Sequence, residues 1–213
     1  MRIKWLGHSC FVITSDSGLK IMTDPYLSGG SLSYGKITEA ADIVTVSHDH
    51  SDHNNVAAVS GNPEVVRGSA RVKGIEFRAI SSYHDEAGGR MRGSNTIFCF
   101  EVDGIAICHL GDLGHVLDDK QVAGLGGVDI LLIPVGGYFT IDVKTATYVC
   151  ERLQPRVVIP MHFKNERCGF PIAGVDEFLG GKSGVSRLDK SELEFEKEGL
   201  PAAAQIIVLK PQL

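Results

Sequence analysis

Four short apolar runs in this chain each end on residues that bind metal ions, and that repeated ending constrains the fold more than any other feature. Residues 43–46 run into Ser47-His48-Asp49-His50-Ser51-Asp52-His53. Residues 75–80 lead to Tyr83-His84, residues 105–108 to His109-Leu110-Gly111-Asp112, and residues 157–159 to Pro160-Met161-His162. Short runs rich in Ile and Val read as buried strands. In open α/β sheets the loops beyond the carboxyl ends of the strands gather in one crevice, so four loops far apart in sequence can converge on one point.

The rest of the chain supplies sheets for those strands to join. Residues 3–6, 11–14 and 19–23 alternate in strand fashion, with Ser15-Asp16-Ser17-Gly18 as a turn, and predict an antiparallel meander. Residues 97–100 and 130–135 add two more strands. Helical spacing is clearest over 142–153, where Val143, Ala146, Val149 or Cys150, and Leu153 recur behind a capping Asp142 and Pro155 stops the helix. Weaker helices are expected over 54–59, 118–125 and 175–179. Strands interleaved with helices predict an α/β layered domain with helices on the outer sheet faces. Nothing in the 213 residues reads as a linker, so one domain over 1–213 is expected. The Gly-, Ser- and charge-rich stretch 180–199 reads as an irregular surface excursion, with Leu193 and Phe195 alternating as a short strand.

Composition removes several classes of function. Hydrophobic residues make up 43% and charged residues 22%, which excludes disorder for the bulk of the chain. A net charge of −5 gives nucleic acids no general attraction, so no nucleic-acid partner is expected. Apolar runs such as 129–135 and 206–209 fall far short of the roughly 20 residues that span a bilayer, so no membrane association is expected. The opening MRIKWLGHSC has no continuous apolar segment of the kind that directs secretion, and a cytoplasmic location follows as the expectation. Cys10, Cys99, Cys108, Cys150 and Cys168 form an odd set with no CxxC pair and read as reduced thiols, mostly in the core.

In the segment His48-Asp49-His50-Ser51-Asp52-His53, His48 and His50 can project to one side of an extended stretch while Asp52 and His53 lie around the following turn, so one loop can serve two metals. Imidazole and carboxylate without thiolate suit zinc, manganese or iron. Alone, His84, Asp112 or His162 would be a weak signal, and the loop by itself could be a His-rich surface turn; their common placement at strand ends carries the weight. His109 competes with His84 as a ligand, but its place at the end of its own strand fits a supporting role better. Arg90, Arg92, Lys164 and Arg167 follow ligand positions and can gather positive charge for an anionic substrate, although solvated surface residues are the plainer reading. His8 reads as a polar turn residue. Tyr138 and Thr140 follow the turn at Gly136-Gly137 and either line the pocket or, for Thr140, begin the next helix.

Taken together, His48-x-His50-x-Asp52-His53, His84, Gly111-Asp112 and His162 resemble the metallo-β-lactamase superfamily of metal-dependent hydrolases. Trp5-Leu-Gly-His-Ser-Cys10, Thr23-Asp-Pro25, residues 108–115, Pro134-Val-Gly-Gly137 and Ile159-Pro-Met-His162 resemble a branch of zinc-dependent hydrolases related to ascorbate-6-phosphate lactonases. The resemblance covers residues 1 to about 165. It implies an αββα four-layer sandwich, two mixed sheets flanked by helices, with two metals at one edge. By motif position it implies His48, His50 and His84 on the first metal, Asp52, His53 and His162 on the second, and Asp112 bridging. It also makes Asp24 the aspartate that orients the ligand loop from behind.

The expected activity is hydrolysis of an ester, lactone, amide or phosphoester bond in a small, anionic or neutral substrate by metal-activated water, with two zinc ions as the cofactor and manganese or iron as alternatives. Asp52 would steer the attacking water and Asp112 would hold the two ions. His109 and His115, flanking Asp112, are candidates to donate a proton to the leaving group or to touch the substrate, and Tyr138 to line the pocket. A cysteine is missing at the Asp112 position, so β-lactam hydrolysis is a poor fit. His50 stands where diiron relatives carry glutamate, which favours zinc or manganese. The rival readings are a nuclease or phosphodiesterase of the same fold, which would need a basic groove, and an iron-dependent redox enzyme with nearly the same ligands. Residues 168–199 can either close over the pocket or pack against a second copy in a homo-oligomer. Three motif-like stretches carry no chemistry: the Gly-Gly-Lys-Ser at 180–183 lacks the upstream glycine of a phosphate loop, Gly7-His-Ser9-Cys-Phe11 lacks the second glycine of a nucleophile elbow, and the glycines at 124–127 precede a strand rather than a helix.

Overall fold

The computed structural model describes residues 1–213. The opening meander forms as expected from β1 (Arg2–Gly7), β2 (Cys10–Thr14) and β3 (Lys20–Thr23), joined by the parallel strands β4 (Ile43–Thr45) and β5 (Glu64–Val66). With β13 (Glu192–Glu194) on the far edge they make a six-stranded sheet in the order β13-β1-β2-β3-β4-β5. The second sheet contains β6 (Ala70–Val72), β7 (Ile75–Tyr83), β8 (Ser94–Val102), β9 (Ile105–His109), β10 (Ile130–Pro134), β11 (Val157–Met161), β12 (Val185–Arg187) and β14 (Gln205–Val208). Its order is β12-β14-β11-β10-β9-β8-β7-β6, parallel from β12 through β9 and antiparallel beyond.

Strand alternation decides what each face buries. In the first sheet Ile3, Trp5, Phe11, Ile13, Ile21 and Ile43 enter a core of 44 buried residues that also takes Phe77, Phe98, Phe100 and Ile107 from the second sheet. Leu6, Cys10, Val12, Met22 and Val44 point the other way, into a separate cluster of 14 residues. The second sheet's outer face carries α1 (Asp119–Leu125), whose Gly124 lies over Ile80, and the core takes in Ala146 and Val149 of α2 (Val143–Leu153) and Phe178 of α3 (Val175–Leu179). Asp118 and Asp142 cap the first two helices by accepting from Gln121 N and Thr145 N.

The two outer layers are unequal. Over the first sheet the cover is irregular chain carrying Tyr26, Tyr34 and Ile37, and the helix expected over 54–59 is a single 3-10 turn, Val56–Ala58. Asn55 offers no side-chain cap, and its N–H bonds back to Pro25 O, which ties the segment to the preceding loop. No helix is long and apolar enough to cross a membrane.

Candidate metal centre

The carboxyl ends of β1, β3, β4, β7, β9 and β11 all lie at one edge of the sandwich, and each releases a loop that turns back over it. Three of the turning residues are non-glycine residues held at positive φ: His8 (52°), Asp24 (38°) and His162 (50°). Such backbone costs of order 1–3 kcal/mol each and persists where the surroundings fix it. Glycines let the loops meet. A Cβ on Gly111, itself at φ 54°, would lie 2.4 Å from Asn95 Oδ1 and 2.6 Å from Ser47 Cβ.

At the centre stands Asp112, buried, its backbone N–H held by Asn95 Oδ1 at 2.9 Å. Its Oδ2 lies 3.1 Å from His84 Nε2, 3.2 Å from His53 Nε2, 3.3 Å from His162 Nε2 and 3.9 Å from His48 Nε2. Around it three donor groups form, each with atoms within 4.8 Å of one another: His48, His50 and His84; His8, Asp52, His53 and His162; and Asp24, His48 and His53, of which the first two correspond to the implied ligand sets. The structure therefore gathers every residue of the two implied ligand groups around Asp112, and adds His8.

Ring orientation separates ligand atoms from supporting atoms. His48 Nδ1 bonds Ser47 Oγ at 2.9 Å and His84 Nδ1 donates to Phe139 O at 3.1 Å, which leaves the Nε2 atoms facing inward. His53 Nδ1 donates to Asp24 Oδ2 at 2.8 Å, while its Nε2 is buried and makes no hydrogen bond despite its closeness to Asp112. Asp112 Oδ1 is likewise buried and unbonded. Unpaired buried polar atoms are costly. His53 also belongs to a donor set with His8, Asp52 and His162 whose atoms lie within 4.8 Å of one another, and a nitrogen- and carboxylate-rich set without sulfur is the chemistry of zinc, manganese or iron.

Asp24 is fully buried and accepts from Ser47 N, Ser47 Oγ and His53 Nδ1, so it fixes both ends of the ligand loop. Asp24→Asn should leave the fold in place and weaken metal binding about 10- to 100-fold, as loss of an outer hydrogen-bond partner does. Competition with a chelating indicator measures this.

Burial and the neighbouring His53 push the His48 imidazole down to about 3, and burial with His162 pushes His8 down to about 4. Both rings are therefore free bases at neutral pH, the form a metal requires. Burial opposes charge on His53 as well, but Asp112 and Asp24 beside it hold its pKa well above the ordinary value. Burial would raise the Asp112 carboxyl, yet His162 and His53 hold it well below the carboxylate range. Below pH 6.5 the unfolded chain takes up protons that folded His8 and His48 refuse, so more protons bind the unfolded state and stability falls with pH. The metal-free protein should thus lose stability as pH drops from about 6.5 to about 4, while the His53 contribution, present below its raised pKa, stays constant across that window. Urea midpoints at several pH values in chelator test this, and a midpoint that rises toward pH 4 would contradict it.

The remaining expected site residues fall further out. His109 lies beneath the centre, with Nε2 donating to Ser9 O at 3.0 Å and Nδ1 accepting from Gly111 N, and it joins neither ligand set. His115 departs from its expected place near a substrate: Tyr83 N donates to its Nε2, and its Nδ1 donates to Val116 O, so backbone groups occupy both nitrogens. Tyr138 also departs from expectation, since it is 66% exposed and turned away, while its neighbour Phe139 lines the cavity. Lys164 donates to Phe170 O and does not line the cavity. Sequence alone makes His8 a polar turn residue, and the structure corrects this. His8 is fully buried, bonds Asp52 Oδ2 through Nε2 at 3.2 Å, and lies 4.1 Å from His162 ring to ring. Its place within the Trp5–Cys10 motif is the only signal in the sequence, because a single histidine after a glycine carries no spacing pattern.

This fold with this ligand edge defines a class. The family model described as "Beta-lactamase superfamily domain" matches residues 2–162, and the chain belongs to that family. It is 31% identical over 240 residues to a "UPF0173 metal-dependent hydrolase" of Carboxydothermus hydrogenoformans, covering 99% of this chain and 97% of the relative. A protein of the same name from Thermococcus onnurineus is 29% identical, over 91% of this chain and 98% of the relative. Among solved structures, one from Thermotoga maritima assigned to the Zn-dependent hydrolases of the metallo-β-lactamase superfamily superposes with a TM-score of 0.80 at 36% identity, covering 98% and 97% of the two chains.

Proposed function

We propose that the protein is a dinuclear metal hydrolase, with zinc as the preferred ion, that cleaves an ester, lactone, amide or phosphoester bond of a small molecule. The observation that carries this reading is the convergence of His48, His53, His84 and His162 on one carboxylate oxygen of Asp112, with His50 and Asp52 beside them. The names of the relatives from Carboxydothermus hydrogenoformans and Thermotoga maritima support the same class.

His48, His50 and His84 would hold one ion, and Asp52, His53 and His162 the other, with His8 at the edge of that second set and Asp112 shared. Divalent ions held there supply Lewis acidity, which activates water at neutral pH and polarises the bond to be cleaved. Asp52 is the carboxylate of the second set that reaches the cavity, and the His8 hydrogen bond fixes one of its oxygens. It orients the attacking water. Phe139 and Phe170, edge to face at 5.6 Å, wall the cavity and limit solvent around the reacting group. Dialysis against chelator should abolish hydrolysis of a panel of 4-nitrophenyl esters and bis(4-nitrophenyl) phosphate, and added zinc should restore it. Undiminished turnover in metal-free protein would overturn the proposal.

A further inference from the structure

Two cavities meet at His50. One, of about 240 Å³, lies over Asp112 and His162 between Phe139 and Phe170; the other, of about 310 Å³, is lined by Arg67, Ser94 and Thr96. Only His50 and Arg92 line both. Arg67 is already engaged, donating to Asp49 Oδ1 at 2.8 Å and Asn54 Oδ1 at 2.6 Å. Arg92 is different: no carboxylate lies within 4 Å of it and its guanidinium makes no hydrogen bond, while it rests over the Phe139 ring at 5.4 Å.

The loop that carries Arg92 is held firmly. The Asp85 carboxylate accepts four backbone N–H groups, from Ala87 and Gly89 on one oxygen and from Met91 and Arg92 on the other. His84 N also donates to Gly93 O, so the loop closes on a metal-ligand candidate itself. A guanidinium presents a planar fork of donors that matches a carboxylate or phosphate, and stacking on an aromatic ring leaves that fork free.

We infer that Arg92 is the anchor for an anionic group on the substrate, a carboxylate or phosphate joined to an apolar or aromatic body that lies against Phe139 and Phe170. The inference rests on the hydrolase reading for the position of the reacting bond, and it narrows the substrate class. With the anion at Arg92 and the body on the phenylalanines, the bond to be cleaved lies over Asp112, in the cavity that all three residues line.

Binding measured separately from turnover tests this. Metal-loaded wild type, Arg92→Met, Arg92→Lys and Arg90→Met are titrated calorimetrically with benzoate, phenyl phosphate and neutral benzamide, after elemental analysis has shown equal metal content. Arg90→Met removes the same charge from an exposed position lining neither cavity. Arg92→Met should raise the Kd of the preferred anion about 10- to 100-fold, Arg92→Lys by less, and Arg90→Met hardly at all. Benzamide affinity should not follow Arg92. Whichever of benzoate and phenyl phosphate binds more tightly identifies the anion. An unchanged Kd for both anions in Arg92→Met, an equal loss for benzamide, or wild-type binding of both anions weaker than about 10 mM would each overturn the inference. Failure of the hydrolase reading would show separately, as absent turnover of every ester and phosphodiester in the panel.

Discussion

Asp112→Asn is expected to strip metal from the protein and lower hydrolysis by more than the roughly 100-fold that loss of an outer partner can cost. The substitution keeps the shape of the side chain and removes the one negative charge that lies within 4 Å of four ring nitrogens. Under the proposed two-metal arrangement Asp112 would be the carboxylate shared by both ligand sets. His53, drawn to a raised pKa by Asp112 and Asp24, keeps only Asp24 in the variant. Elemental analysis should show fewer than one ion per chain alongside the activity loss. Retention of the full metal complement would mean that Asp112 is not the residue around which the site is built.

Gly114→Ala is expected to be the most damaging single methyl group at this edge. A Cβ there would lie 2.3 Å from Asp85 N and His84 C and 2.6 Å from His84 O. These are backbone atoms, so no rotamer change relieves the clash, and the Gly114 N–H also bonds Tyr83 O. The loop that carries His84, Asp85 and Arg92 would have to move as a unit. A loss of about 3 kcal/mol is expected, which for a chain of this size lowers Tm by roughly 6–12 °C. Metal affinity should fall with it, because His84 is displaced. Urea unfolding combined with a metal titration measures both, and a change below about 0.5 kcal/mol would show that the two loops are not in contact as described.

Much of this was legible in the sequence because strand periodicity and ligand spacing are local signals. The runs at 43–46, 75–80, 105–108 and 157–159 became β4, β7, β9 and β11, and their ends carry His48 to His53, His84, Asp112 and His162 to one edge. Strands β5, β6 and β12 were not legible. They are three residues long and largely exposed, so no apolar alternation marks them, and pairing with neighbours rather than propensity makes them strands. The helix at 54–59 failed for the converse reason, since its weak spacing lacked a cap. Tyr138 and Phe139 show a further limit: which of two adjacent aromatics faces a cavity depends on one residue at φ 59°, and sequence does not reveal that turn. His8 and the shared position of Arg92 arise from contacts between distant segments, and residue type alone cannot express them.

Metal content per chain by elemental analysis tests the account most directly, on protein purified without chelator and compared with the His48→Ala, His162→Ala double variant. About two ions per wild-type chain, with zinc predominant, and a loss of both in the variant are the expected results. A wild-type protein that carries no metal and takes up none on incubation with zinc, manganese or iron would contradict the account.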